Sequence, residues 1–127
     1  MAVQTAAFVN EAYHCLKHPL QRAEYLLRLK GHDLGNEGRT HRDTVFLLEQ
    51  MQLREQLESV ARQENPLRAL DAWRTDVAGR IQFLQEVFAK AFEAGDDEQA
   101  VDSVLKWKFL VKLQSDAERL QDHLEQD

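Results

Sequence analysis

The stretch that begins near Arg42 carries two apolar stripes on opposite sides of one predicted helix, and this constrains the chain more than any other feature. At about 100° per residue, Phe46, Leu53, Leu57 and Val60 fall on one face, the spacing by which a helix buries itself in a bundle. Leu47, Leu48 and Met51 fall on the other side, flanked by Arg54, Glu55 and Glu58. A small bundle has one inside. A second aliphatic cluster ringed by charge therefore packs on another part of the chain or docks a partner. Met51 suits either role, since a flexible thioether adapts to whatever lies against it. The pattern alone leaves both open.

Helical periodicity covers nearly the whole sequence, and no strand-like alternation persists. A first helix is predicted from Gln4 to Leu16. Pro19 ends it, because proline disfavours helical geometry at His18, and the same ring can open the next helix at its first position. That second helix runs to about Lys30 with Leu20, Ala23, Leu26 and Leu27 on one side, and Gly31 is placed to cap it. Residues Gly31 to Thr40 hold three of the five glycines and read as a connector. A third helix is expected from about His41, with Thr40 and Asp43 spaced as a capping box, to about Glu64. Asn65–Pro66 then signals a cap and a first helical residue. The fourth helix has the strongest amphipathic pattern, with Leu70, Trp73, Val77, Ile81, Leu84, Phe88 and Ala91 recurring every three or four residues. It stops at Ala94–Gly95, and Asp96–Asp97 caps a fifth helix that uses Phe109, Leu110, Leu113, Ala117, Leu120 and Leu124. The expected fold is all-α: a two-helix hairpin (1–31), a connector (32–40) and an antiparallel three-helix bundle (41–127).

Charge and motif content narrow the function. A net charge of −6 is the wrong sign for a phosphate backbone. Lys106, Lys108 and Lys112 do cluster, but on a segment that Trp107, Phe109, Leu110 and Val111 make largely apolar, so nucleic acid is not an expected partner. No apolar run is long enough for a membrane span, and the N-terminus lacks the basic and apolar regions of a secretion signal. Cys15 stands alone, which excludes an internal disulfide and points to a reducing compartment. His14, Cys15 and His18 place two imidazoles on one helical face, but a zinc site wants three or four ligands with a supporting shell. Two surface histidines and a buried thiol are expected instead, with no metal and no cofactor. Glu55 and Glu58 lack the enclosing cleft that acid–base chemistry needs. Phosphate loops, nucleophile elbows and zinc-protease motifs are missing, so no enzymatic activity is expected.

The run AYHCLKHPLQRAEYLL, from Ala12 to Leu27, resembles the third and fourth helices of a J-domain. With HPLQRAEYLLRLKG at His18 to Gly31, RDTVFLLEQMQLREQLE at Arg42 to Glu58 and KWKFLVKL at Lys106 to Leu113, the chain resembles the HscB family of iron–sulfur cluster co-chaperones. The resemblance implies a two-helix J-domain remnant joined to the bundle. It also implies an apolar patch that binds an IscU-type scaffold at Leu47, Leu48, Met51 and Phe109, bordered by Arg42, Arg54 and Glu55. In a complete member the J-domain delivers that client to an HscA-type chaperone and stimulates its ATPase. Two departures stand out. Gln52 and Ser59 occupy positions where better-known members carry carboxylates. The His-Pro-Asp loop that activates the ATPase is missing: the one His-Pro, His18–Pro19, is followed by Leu20. With the first two J-domain helices absent from the sequence, these residues are not expected to activate the chaperone by themselves. The resemblance places the protein in a bacterial cytoplasm, or in the mitochondrial matrix if eukaryotic. A generic helical interaction or dimerisation module is the competing reading, and a metal module at His14, Cys15 and His18 a third.

Overall fold

The computed structural model describes residues 18–32, 34 and 43–126, so the helix expected from Gln4 to Leu16, and with it His14 and Cys15, lies outside the described residues. Helix α1 spans Pro19–Leu29, with the proline at its start as the sequence predicts. It ends in a Schellman turn: the Gly31 amide donates to the Arg28 carbonyl at 2.9 Å and the His32 amide to the Leu27 carbonyl at 3.0 Å. Gly31 sits at φ 91°, a left-handed geometry that only glycine adopts without strain.

Helix α2 spans Thr44–Ser59, and its N-cap is Asp43, whose Oδ1 accepts from the Phe46 amide at 2.9 Å. This corrects the expected start at His41. Asp43 does not answer Thr40 from inside the helix; it is the cap itself, three residues ahead of the amide it satisfies. The C-terminus is also earlier than expected. The Val60 amide turns to the Leu57 carbonyl, and the Ser59 hydroxyl donates to the Gln56 carbonyl at 2.9 Å, so the α-helical ladder closes there. A short 3₁₀ turn, Val60–Arg62, follows.

Asn65 caps helix α3 (Pro66–Ala94) through the Arg68 amide at 3.3 Å, again with proline at the first position. Gly95, at φ 77°, and Asp96 close a second Schellman turn on α3, their amides donating to Phe92 and Ala91. Asp96 then caps α4 (Asp97–Glu125) through the Gln99 amide at 3.2 Å. One residue thus ends one helix and begins the next, which forces α3 and α4 into an antiparallel pair.

Two core clusters run along that pair. In one, Ala23, Leu27 and Leu34 pack with Phe88, Ala91, Ala100, Val104 and Trp107. In the other, Leu53 and Val60 of the α2 region pack with Leu70, Trp73, Val77, Leu110, Leu113 and Ala117. Ile81 and Leu84 touch both clusters and make the interior continuous. The α1 helix therefore sits over the α3–α4 turn end, and α2 over the opposite half. Trp73 fastens α2 further, donating its indole N–H to the Leu53 carbonyl at 3.1 Å. The apolar faces predicted for α2, α3 and α4 are the faces that pack.

Candidate functional site

Helix α2 settles its two stripes in different ways. Phe46, Leu53 and Val60 are buried and Leu57 is half-buried, so the first stripe is core. Leu48 is 56% and Met51 58% exposed, while Leu47 is half-buried. None of the three belongs to either core cluster. The α1 helix does not cover them: its buried residues pack on α3 and α4.

Phe109 reaches this surface from α4. Its ring stands edge-to-face on Phe46, centroids 5.8 Å apart and planes at 80°. The Arg54 guanidinium lies 5.4 Å from the Phe109 centroid, near enough for a cation–π attraction. Two distant parts of the sequence thereby contribute to one patch. Leu47, Met51 and Arg54 fall at i, i+4 and i+7 on α2, and Leu48, Met51 and Glu55 at i, i+3 and i+7, so Met51 joins both rows. Arg54 and Glu55 are exposed. Arg42 lies outside the described residues. Gln52 is exposed, whereas the Ser59 hydroxyl is spent on the Gln56 carbonyl.

Sequence reasoning missed the residues that hold this patch in place. Lys106 sits 2.9 Å from Asp43 and 3.0 Å from Asp102, with its ammonium 5.4 Å from the Phe46 centroid. It ties the start of α2 to α4 beside the ring pair. Its hydrogen bond holds the Asp43 carboxyl below the ordinary aspartate pKa, with help from the Phe46 amide. Partial burial works against the Lys106 charge, but the two carboxylates outweigh it and keep its pKa above the usual lysine value. Asp43, three residues before Phe46, and Asp102, four before Lys106, were the signals of this in the sequence.

The chemistry on offer is recognition. An aliphatic centre with an aromatic anchor and a charged border is the anatomy of a protein-docking surface. No group of three or more His, Cys, Asp or Glu side chains suited to a metal occurs among the described residues, and none of their helices is long and apolar enough to cross a membrane.

The described residues form a small all-helical protein with an exposed apolar patch, and comparison with known proteins specifies its family. Residues 42–118 match the family model described as the HSCB C-terminal oligomerisation domain. A co-chaperone protein HscB homolog of Aeromonas hydrophila is 42% identical over 123 residues, covering 97% of this chain and 72% of the relative. The solved chaperone HscB from Vibrio cholerae superposes with a TM-score of 0.90 at 43% identity, over 98% of this chain and 73% of that one. The chain belongs to the HscB family of co-chaperones, which act in iron–sulfur cluster assembly. Its relatives are co-chaperones rather than enzymes.

Proposed function

We propose that this chain is the adaptor that holds an IscU-type scaffold protein, docking it on Leu47, Leu48, Met51 and Phe109 with Arg54, Glu55 and Arg42 at the border. The observation that carries the reading is the exposure of Leu48 and Met51 on a helix whose other face is already buried. Exposed aliphatic side chains grouped beside an aromatic ring gain free energy only when something covers them. The division into a J-domain remnant (1–31), a connector (32–40) and a scaffold-binding bundle (41–127) is part of the proposal, as is a bacterial cytoplasmic location. In a complete family member, delivery to an HscA-type chaperone follows, and joining both binding events on one body raises the effective concentration of client at the ATPase. That second contact is not assigned to these residues, since His18–Pro19 opens α1 and does not form a His-Pro-Asp loop.

Calorimetric titration of the chain with an IscU-type scaffold tests the reading. Leu48→Ala with Met51→Ala should weaken binding by about 1–2 kcal/mol per truncation, with melting unchanged because neither side chain is buried. A collapse in melting with binding intact would assign the stripe to the core and end the docking model.

Self-association is a second reading, supported by the oligomerisation named in the description of the matching family model.

A further inference from the structure

The scaffold patch leaves the most exposed apolar side chain of α2 unexplained. Val45 is 76% exposed, more than Leu48 or Met51, and it joins them in one row at i, i+3 and i+6 along the helix. That row leads to Glu49, one turn on from Val45, and Glu49 lines a hollow of about 600 Å³ between α2, α3 and α4. Buried Phe46 and Leu110 line the hollow from inside, and Phe83 of α3 lines it with 63% of its surface exposed. The charges around it do not cancel. Arg80 is held between Glu49 and Asp76, and Lys106 between Asp43 at 2.9 Å and Asp102 at 3.0 Å. Four carboxylates therefore surround two cations beside one apolar hollow. Both cations are already paired, so an acidic group would meet only the surplus negative charge. A purely apolar group would strip water from the carboxylates and give nothing back. A lysine or arginine side chain meets both demands: its stem packs on the apolar wall, and its head reaches the carboxylates and an aromatic face.

We propose that the docked scaffold reaches past Leu48 and over Val45, and lays a lysine or arginine side chain in this hollow between Phe83 and the carboxylates of Glu49 and Asp76. This seat rests on the docking reading above and adds to it the chemistry that the partner must carry. It also gives the footprint two unlike borders. At about 100° per residue, Arg54 and Glu49 lie on opposite flanks of α2. Arg54, against Phe109, offers a cation on one side, and the hollow offers surplus negative charge on the other. A partner that carries one acidic and one basic group is then received in one orientation only.

Calorimetric titration of the full chain with an IscU-type scaffold, at low and moderate salt, tests it. Val45→Ser and Phe83→Ser should each weaken binding about three- to tenfold with melting unchanged. Affinity should fall in steps from wild type to Asp76→Asn to Asp76→Lys, by about tenfold at the last. Added salt should weaken the wild type more than Asp76→Lys. Glu118→Lys, about three turns beyond Lys106 on α4, should leave affinity as it was. Equal losses from Asp76→Lys and Glu118→Lys would make the charge effect diffuse and overturn a cation seated in the hollow. Variants at Val45, Phe83 and Asp76 that all bind like the wild type, while Leu48→Ala with Met51→Ala still binds weakly, would confine the footprint to the first patch and overturn this extension alone. A wild type that does not bind the scaffold, or a Leu48–Met51 double variant that binds in full, overturns the docking reading and this one together.

Discussion

Phe109 works for the interior with one edge and for the surface with the other. Its ring rests on buried Phe46 and carries Arg54 on its outer side, which leaves it half-buried. The packing face that periodicity gives Phe109 is where its ring lies, and its place in a docking patch is part of the proposed function. Periodicity names a face; it does not name the residue across from it. For that reason the Phe46–Phe109 pair, the Lys106–Asp43 tie and the Trp73–Leu53 hydrogen bond were invisible before the helices were crossed. Trp73 permits a direct check. Trp73→Phe keeps most of the buried ring but deletes the indole donor, so it should destabilise by about 1 kcal/mol, against about 3–5 kcal/mol for Trp73→Ala. Urea unfolding at constant m separates the two. A Trp73→Phe variant as stable as the wild type would mean that packing alone holds α2 at this point, whereas equal losses would assign the whole effect to the hydrogen bond.

The helices began and ended where proline, asparagine and glycine said they would, because caps are local chemistry readable over four or five residues. Pro19, Asn65–Pro66, Gly31 and Gly95–Asp96 all sit as expected. The ends of α2 were less legible, for two reasons. Thr40 and Asp43 both offered a capping side chain, and only the Phe46 amide decided between them. At the other end the amphipathic pattern continues through Val60, but a 3₁₀ turn also buries that side chain. Two glycines test how well backbone conformation accounts for element stability. Gly95→Ala forces a side chain into the left-handed turn between α3 and α4 and should cost about 1–2 kcal/mol. Gly79→Ala, in an ordinary helical conformation with open space around it, should stabilise the dilute chain by about 0.5–1 kcal/mol. Thermal melts at low concentration should move in opposite directions. Two upward shifts would contradict the reading of Gly95, and two downward shifts that of Gly79.

Beside the Lys108–Glu24 pair between α4 and α1, two ionic ties that join the outer helices to α4 hold their carboxyls below the ordinary range, and their sign sets the response to acid. Asp43 meets Lys106 at the start of α2, while Asp97, the first residue of α4, meets His32 at 3.0 Å and Lys30 at 3.2 Å beyond the end of α1. Lys30 also lies 4.2 Å from the Phe92 centroid, so the same contact rests on the end of α3. Hydrogen bonds from His32 and then Lys30 hold the Asp97 carboxyl below its ordinary pKa, as Lys106 does for Asp43. A carboxyl whose folded pKa is depressed contributes its stabilisation above the unfolded value and loses it as pH falls through the folded one. Both ties should therefore be intact at neutral pH and should fail below about pH 4. They are about one-third exposed, so added salt should partly screen the effect. Substitution with asparagine separates their roles. Asp43→Asn retains a competent helix cap and removes only the charge, so the first turn of α2 should exchange its amides faster while α1 is unaffected. Asp97→Asn should do the reverse, loosening α1 and leaving the Leu48–Met51 patch and its scaffold affinity unchanged. Hydrogen exchange resolved by segment reads both outcomes, and in each variant the matching segment should lose its extra opening on acidification. Uniform acceleration along the chain in either variant would show that α1, α2 and the α3–α4 pair open as one unit, and that these ties do not govern how the outer helices are held.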